Sequence, residues 1–263
     1  MSEFKSWSSY QEFERKTIST CRYIFDQSVQ EFLNTVLATS KNRYRQVPQG
    51  TIFWRSQLGN DWRPIQGKEH LHLGDEPCPL SPKRMKPLPH MANEGRANPK
   101  GIPYLYVATD KDTAMAEVRP WLGSRISVGQ FEIKKDITLV DCSVLHAKKI
   151  VFYSEEPTAG KKEEAVWTNI DWAFSKPVTP NDSVADYIPT QIIAELFKNN
   201  RVDGIAYKSD LGKGHNIVLF DINIADIVNC FLYGTDKIDF LFKEAASPYF
   251  IKKKNKHNTY NKD

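Results

Sequence analysis

The stretch GRANPKGIPYLYVATDKDTAMAEVRP, residues 95–120, places a polar loop, an apolar strand-like run and a helix-like segment in immediate succession. Arg96 lies in its loop, and Glu117 follows the apolar Ala-Met-Ala run. Elsewhere, Arg55 follows the apolar run TIFW, and Ser209 ends the run IAYKS. Burying a guanidinium or a carboxylate costs several kcal/mol unless a partner or ligand compensates the charge. We therefore interpret these polar residues as parts of one charged site.

Six short runs rich in β-branched and aromatic residues predict β-strands at residues 51–55, 104–108, 126–133, 137–141, 204–208 and 217–221. One helix is predicted to begin near Asp112 or Thr113, either of which is a suitable N-cap, and to stop or bend near Pro120. A second helix is predicted over residues 189–200. Because strands and helices follow one another without regular alternation, the sequence predicts an α+β fold.

The region between residues 11 and 38 has apolar residues mostly three or four positions apart, which predicts one amphipathic helix. Three arrangements fit this helix: packing on the main domain, a contact between two copies of the chain, or a separate helical element. We favour packing on the domain, and the sequence leaves the other two arrangements open.

The region from residue 59 to residue 101 is rich in proline and shows neither a helical nor a strand period. We interpret it as a long loop beside the site. Its potential metal ligands are His70, His72, Cys78 and His90. Their spacing matches no four-ligand zinc pattern, so we interpret them as exposed loop residues and predict no metal site. A second proline-flanked segment, residues 174–189, is interpreted as another rim of the cleft.

The composition describes an ordinary globular chain. Its 263 residues are 40% hydrophobic and 26% charged, enough for one sizeable core. Neither a membrane-spanning run nor the apolar segment of a signal peptide is present, so we expect a cytoplasmic protein without membrane contact. The 36 Lys and Arg nearly balance the 32 Asp and Glu, which argues against direct nucleic-acid binding.

The linked motifs resemble the RES-domain family. The matching pieces are FWR at residues 53–55, the 95–120 stretch quoted above, DGIAYKS at 203–209 and HNIVLFD at 215–221. The resemblance extends from about residue 51 to residue 221. It implies an ADP-ribosyltransferase-like fold and a bacterial toxin that consumes NAD, which is then a substrate and not a cofactor. It also implies a helix-turn-helix antitoxin of the Xre-like type as partner.

The resemblance also assigns roles within the site. Glu117 would bond the ribose hydroxyls and stabilise the positive charge that develops as nicotinamide leaves. Arg55 and Arg96 suit the pyrophosphate, because a guanidinium grips phosphate oxygens through two parallel hydrogen bonds. Tyr106 matches the strand tyrosine that lines the nicotinamide pocket, and Ser209 offers a hydroxyl to a phosphate or ribose. We take Glu117, Arg55 and Tyr106 as the catalytic residues, and all five as NAD-binding.

Each of these residues also has a purely structural interpretation. Glu117 would be an early helix glutamate favoured by the macrodipole, Arg55 would form a surface salt bridge, and Arg96 would be a solvated loop residue. Tyr106 would be a core tyrosine and Ser209 a turn residue.

Neighbouring residues receive lesser roles. Asn98 is interpreted as holding the loop that carries Arg96, and Gln191 as a weaker candidate for facing substrate. Arg119 is predicted to point away from Glu117 and to be structural. No role is assigned to Lys208, Lys213, His215 and Asn216.

The sequence therefore predicts a helical segment at residues 1–49, a RES catalytic domain at 50–245 and a basic tail at 246–263. We expect an enzyme that cleaves the nicotinamide–ribose bond of NAD and passes ADP-ribose to water or inorganic phosphate. Two alternatives stay open: transfer of ADP-ribose to a macromolecule, and a non-catalytic module that binds nucleic acid or a partner. Formation of a homo-oligomer is also left open.

Overall fold

A computed structural model describes residues 3–66, 72–89, 91–146, 148–149, 152–177, 183–239 and 241–243. The predicted basic tail, residues 246–263, lies outside the described residues, as do His70 and His90. None of the helices in the described ranges has the length and apolar character that crossing a membrane requires.

The structure is built on an eight-stranded mixed sheet with a separate two-stranded hairpin. Within the described ranges the strands are β1 Tyr44–Val47, β2 Ile52–Leu58, β3 Asp61–Gln66, β4 His72–Cys78, β5 Leu105–Ala108, β6 Arg125–Ile133, β7 Ile137–Asp141, β8 Gly204–Lys208, β9 His215–Leu219 and β10 Ala225–Gly234. The large sheet has the order β1-β7-β8-β9-β5-β2-β6-β10, and β3 pairs with β4. The β7–β8 pair is parallel, whereas the other pairs in this order are antiparallel.

Helices pack against this sheet, most of them on one side, and two of them make the crossover that the parallel pair requires. They are α1 Ser9–Ser19, α2 Gln27–Ser40, α3 Pro82–Met85, α4 Lys111–Glu117, α5 Ala159–Ser175 and α6 Ile188–Asn199. The chain leaves β7, forms α5 and α6, and returns to the sheet as β8. The α+β class predicted from the sequence is confirmed.

All six predicted strands are present: 137–141 and 204–208 have the predicted bounds, and in each of the other four one or both ends differ by one to three residues. The helices predicted from residue 112 and over residues 189–200 correspond to α4 and α6. The strands β1, β3, β4 and β10 and the long helix α5 were not predicted.

The interpretation of residues 59–101 as one long loop is wrong, because the segment contains the β3–β4 hairpin and α3. Pro64 pairs with Asp75, and Pro77 pairs with Trp62. Proline lacks a backbone N–H, and an isolated two-stranded ribbon tolerates it because both strands are edges. His72 and Cys78 stand at opposite ends of β4, about 20 Å apart at 3.3 Å per residue, so they cannot share a metal ion.

The prediction of one continuous N-terminal helix is also wrong, because the chain breaks between α1 and α2. Asp26 caps α2 by accepting a hydrogen bond from the Val29 backbone N–H at 2.9 Å. Lys16 of α1 contacts the same carboxylate at 2.8 Å, which fastens the two helices together. Tyr23 and Ile24, in the connection, are almost fully exposed, so the apolar period does not continue through it.

The two faces of the sheet bury separate cores. Residues alternate along β8: Ile205 and Tyr207 face the helices, and Ala206 lies in the opposite core. Phe13 and Phe32 of the N-terminal helices join the helix-side core, together with the fully buried Trp167 of α5. The preferred prediction, that the N-terminal region packs on the domain, is therefore confirmed.

Candidate active site

The large sheet is nearly divided between β5 and β2. These strands pair at a single position, Trp54 with Ala108, although β2 pairs along its whole length with β6 and β5 pairs along its length with β9. Arg55 bridges the division: its Nη1 donates a hydrogen bond to the backbone oxygen of Tyr106 at 2.9 Å. The division opens a cleft.

Two adjoining cavities make up this cleft. The first, which we call the Trp54 cavity, has a volume of about 280 Å³ and includes Trp54, Arg55 and Val118 in its wall. The second, the Arg96 cavity, has a volume of about 230 Å³ and is lined by three cations, Arg96, Arg119 and Lys176. The residues common to both walls are Tyr106, Glu117, Tyr207 and Asn216. Glu117 therefore stands where the two cavities meet.

Glu117 is the last residue of α4. The helix begins at the Asp110 cap, whose side chain accepts a hydrogen bond from the Thr113 backbone N–H at 2.8 Å, so the predicted caps Asp112 and Thr113 are wrong. A carboxylate at the C-terminal end of a helix is disfavoured by the macrodipole. The alternative of an early helix glutamate stabilised by the dipole is therefore wrong, and other groups must hold this charge.

Two side chains hold the Glu117 carboxylate. Its Oε1 accepts hydrogen bonds from Ser209 Oγ at 2.6 Å and from Asn216 Nδ2 at 2.7 Å. Both donors are buried, whereas Glu117 itself is exposed to the cleft. Within the described part of the chain, Oε2 accepts no hydrogen bond. One oxygen is thus fixed and the other faces the cleft for a ligand.

Ser209 positions Glu117 through a tight loop. Its Oγ accepts hydrogen bonds from the backbone N–H groups of Leu211 at 3.1 Å and Gly212 at 2.9 Å while it donates to the carboxylate. The loop is fastened to the start of α4, because the Gly214 N–H donates to Thr113 Oγ1 at 2.9 Å. The Ser209 hydroxyl is therefore engaged by protein atoms, in contrast to the predicted contact with phosphate or ribose.

Arg55 lies in the middle of β2, not near the end of a strand as the sequence suggested. Burial lowers the pKa of its guanidinium to about 10, which still leaves it charged at neutral pH. Its Nε is buried and has no hydrogen-bond partner among the described residues. No ion pair is made by Arg55 within those residues, so the salt-bridge alternative is not met and a buried donor is left unpaired.

Arg96 is anchored by the C-terminal end of α5. Its guanidinium donates to the backbone oxygens of Ala173, at 2.5 Å, and of Lys176, and stacks on the ring of Tyr187 at 5.6 Å. A cation at this end of a helix is stabilised by the dipole. Arg96 is therefore not a freely solvated loop residue, and it also lines the Arg96 cavity.

Hydrogen bonds of Asn98 and Tyr106 hold the loop that carries Arg96. Asn98 Nδ2 donates to the backbone oxygens of Asn93 and Ile102, as its predicted role requires. Tyr106 donates its hydroxyl to Asn98 Oδ1 at 2.8 Å and accepts from the Ala97 N–H at 3.0 Å. Burial raises the pKa of this Tyr106 phenol to about 12, so it stays neutral. Its ring edge is fixed at the boundary of both cavities.

Gln191 supports the same loop from α6. Its Nε2 donates to the backbone oxygens of Gly95 at 2.9 Å and Asn98 at 3.1 Å. The residue therefore holds the wall of the cleft, and the prediction that it faces substrate is not supported by these contacts.

All five residues predicted for the site, Arg55, Arg96, Tyr106, Glu117 and Ser209, converge on this cleft. The sequence interpretation missed Asn216, whose polar side chain inside the apolar strand HNIVL was the available signal. Arg119 was placed wrongly: its φ of 47° ends the helix, and its side chain lines the Arg96 cavity. The beginning of the predicted second rim, Phe174 to Pro177, also lines this cavity, and residues 178–182 lie outside the described ranges.

Comparison with known proteins identifies a family for this chain. A family model described as the RES domain matches residues 77–242. No curated protein matches the chain. A chain in the crystal structure of the M. tuberculosis MbcT–MbcA toxin–antitoxin complex is similar, with 12% sequence identity and a TM-score of 0.40. That alignment covers 75% of this chain and 91% of the other.

Because the match spans more than half of the chain, the protein belongs to the RES-domain family. Membership places it, at the level of the family, among enzymes that act on NAD. Arg55 lies before the matched residues, so its position in the cleft rests on the structure alone. Across the described residues, no group of three or more His, Cys, Asp or Glu side chains is arranged to hold a metal ion.

Proposed function

We propose that the protein binds NAD in the cleft and cleaves the bond between nicotinamide and ribose, passing ADP-ribose to water or inorganic phosphate. The observation that carries this proposal is Glu117, exposed at the junction of two cavities, with Oε1 held by Ser209 and Asn216 and Oε2 open to a ligand. A carboxylate so placed can reach the middle of a ligand that extends into both cavities.

The chemistry of NAD explains why a fixed carboxylate is sufficient. Loss of nicotinamide releases a neutral base and leaves positive charge on the ribose ring, as in glycoside cleavage. The free oxygen of Glu117 would accept a ribose hydroxyl and stabilise that charge. Preorganised electrostatic stabilisation of this kind contributes about 3–4 kcal/mol to lowering a barrier. No strong acid is needed, because the leaving group departs uncharged.

The charges of the two cavities suggest an orientation for NAD. The cations Arg96, Arg119 and Lys176 line the Arg96 cavity, which suits the pyrophosphate. The Trp54 cavity has apolar and aromatic walls that suit the nicotinamide ring. Arg55 would then lie near nicotinamide and not near phosphate, in a change from its predicted role. Its guanidinium, at the wall of this cavity, would donate to the carboxamide oxygen, and its charge would favour departure of the ring as a neutral molecule.

The test is to incubate purified protein with NAD, with and without inorganic phosphate, and to separate nicotinamide and the ADP-ribose products by chromatography. We expect nicotinamide release that Glu117→Gln reduces by about 100-fold or more, consistent with the loss of 3–4 kcal/mol of stabilisation. A product that appears only with phosphate identifies phosphorolysis. Asp112→Asn, an exposed carboxylate on the same helix, is the matched control and should keep full activity.

Two results would contradict the proposal. Folded wild-type protein that releases no nicotinamide would exclude NAD cleavage by the protein alone and favour transfer to a macromolecular target or a binding role. Equal loss of activity in Glu117→Gln and Asp112→Asn would show that the effect does not arise from the carboxylate in the cleft.

We also propose a helix-turn-helix antitoxin of the Xre-like type as the partner, on the basis of the family relationship. Such a protein would cover the cleft and prevent entry of NAD. Expression of the chain alone should stop growth and deplete cellular NAD, whereas coexpression with the product of an adjacent helix-turn-helix gene should restore both. Growth arrest that persists in the Glu117→Gln variant would disconnect toxicity from the cleft.

A further inference from the structure

A third cavity adjoins the cleft and takes no part in the chemistry described above. It has a volume of about 350 Å³, and its wall includes His146, Asp171 and Trp172. We call it the His146 cavity. It shares Ser175 and Asp210 with the Arg96 cavity. The Trp54, Arg96 and His146 cavities therefore lie side by side, with the Arg96 cavity between the other two.

One stripe of α5 forms a large part of the new wall. Thr168, Asp171, Trp172 and Ser175 occupy positions i, i+3, i+4 and i+7, which lie on one side of a helix. Trp172 is 49% exposed, although the rest of its stripe is polar. An exposed indole beside a cavity offers a flat face on which a planar ligand can stack.

A buried carboxylate, Asp171, contacts the exposed His146 at this surface. Asp171 is only 4% exposed, and its Oδ2 is 3.2 Å from His146 Nδ1. Its Oδ1 is buried and has no partner among the described residues. Burial raises the pKa of the Asp171 carboxyl, because removing a charged carboxylate from water costs free energy. Carboxylates behind histidines commonly fix the orientation of the imidazole ring at a functional site.

We propose, building on the proposed function, that the His146 cavity binds the adenosine end of NAD. Trp172 and His146 provide stacking surfaces for adenine, with His146 oriented by Asp171. The exposed carboxylate of Asp210, at the junction with the Arg96 cavity, accepts hydrogen bonds from the adenosine ribose. The row of cavities then reproduces the order of the dinucleotide: nicotinamide riboside, pyrophosphate beside the cations, and adenosine.

A competing cavity also adjoins the Arg96 cavity. It has a volume of about 410 Å³ and is lined by Arg15, Trp172 and Tyr187 among others. Its junction with the Arg96 cavity is formed by Arg96, which is bonded to the end of α5 and stacked on Tyr187, and by Lys176. The junction with the His146 cavity is instead formed by the short Ser175 and the exposed Asp210. A ligand can therefore extend from the Arg96 cavity into the His146 cavity without movement of an anchored side chain.

The test compares NAD with nicotinamide mononucleotide, which lacks the adenosine half. Trp172→Ala should raise the KM for NAD about tenfold, because stacking of one base on an aromatic ring commonly supports such a change. The KM for nicotinamide mononucleotide should stay within about twofold, which a general structural defect would not allow. Trp172→Phe should restore most of the NAD affinity. Arg15→Ala, in the competing cavity, is the matched control.

The outcomes separate this proposal from the proposed function. If Trp172→Ala leaves the KM for NAD unchanged, or raises both KM values equally, adenosine does not occupy the His146 cavity. Because Trp172 also lines the competing cavity, Arg15→Ala decides between the two: a selective rise in the KM for NAD in Arg15→Ala would place adenosine in the competing cavity. If the wild type cleaves neither compound, the proposed function fails. In that case, or if only NAD is cleaved, titration calorimetry with ADP-ribose decides: Trp172→Ala should weaken binding about tenfold, and equal affinity would overturn the subsite.

Discussion

Asn216→Asp should replace the hydrogen bond that supports Glu117 with electrostatic repulsion. The Asn and Asp side chains have almost the same shape, so the packing should change little. Asn216 Nδ2 donates to Glu117 Oε1 at 2.7 Å, and the substitution places a carboxylate oxygen at that position. At this separation two unit charges repel by about 1.5–3 kcal/mol for an effective dielectric of roughly 80–40, the range expected where a cleft opens to water. The pair of carboxylates would therefore keep one bound proton up to a pH about one to two units higher than the pKa of an isolated carboxylate.

The sign of the effect on activity follows from the role of Glu117. The proposed mechanism needs Glu117 ionised, so activity falls when a proton binds to the carboxylate pair. In Asn216→Asp, the acidic limb of the rate profile should move to higher pH by about one to two units, and activity should recover as the pH rises further.

The assay is the kcat for nicotinamide release, measured between about pH 4 and pH 9 for the wild type and the variant. Asn229→Asp, on an exposed part of β10, is the matched control, because Asn229 donates to Gln130 and lies outside the cleft. Circular dichroism checks that both variants are folded. A profile for Asn216→Asp that superimposes on the wild-type profile would refute the view that ionised Glu117 stabilises the transition state.

Two further substitutions test the support of the site and the packing of the sheet. Ser209→Ala should lower kcat about 10- to 100-fold with little change in KM, because it removes a charge-assisted hydrogen bond worth about 1.5–3 kcal/mol from Glu117; an equal rise in KM would contradict a role in positioning. Gly204→Ala should lower the free energy of unfolding by about 1–3 kcal/mol in denaturant titrations, because its Cβ would stand 2.3 Å from the backbone oxygen of Val218. Gly160→Ala, which meets no atom within 4 Å, is its control and should be neutral or stabilising.

The strands that form the centre of the fold were predictable because their sequences combine β-branched and aromatic residues with short length. The helix α5 was not, because polar residues interrupt its apolar pattern. Thr168 and Asn169 are buried and satisfy their side chains on backbone oxygens four residues earlier, at Glu164 and Ala165. Such local hydrogen bonds lower the free-energy cost of burying polar side chains. A search for periodic apolar residues therefore does not detect a helix that buries them.

The functional site was likewise predictable only in part. The linked motifs pointed to Glu117 and Arg55 because family resemblance attaches to local sequence. Asn216 was missed because its partnership with Glu117 joins positions 99 residues apart and exists only after β9 has docked beside α4. The wrong placement of Arg119 has a local cause, since a left-handed backbone at a non-glycine residue is uncommon and carries no sequence signal here.

The N-terminal helices share a hydrophobic core with residues inside the family match. The start of that match is therefore not the start of the folded domain. The family model begins at residue 77, yet Phe4, Phe13 and Phe32 lie in the same buried cluster as Trp167. Trp167 also donates its indole N–H to Thr39 of α2 at 3.0 Å. A fragment cut where sequence similarity starts would carry an open hydrophobic surface in place of this contact. In this protein the segment that sequence similarity identifies is therefore shorter than the segment that must fold together.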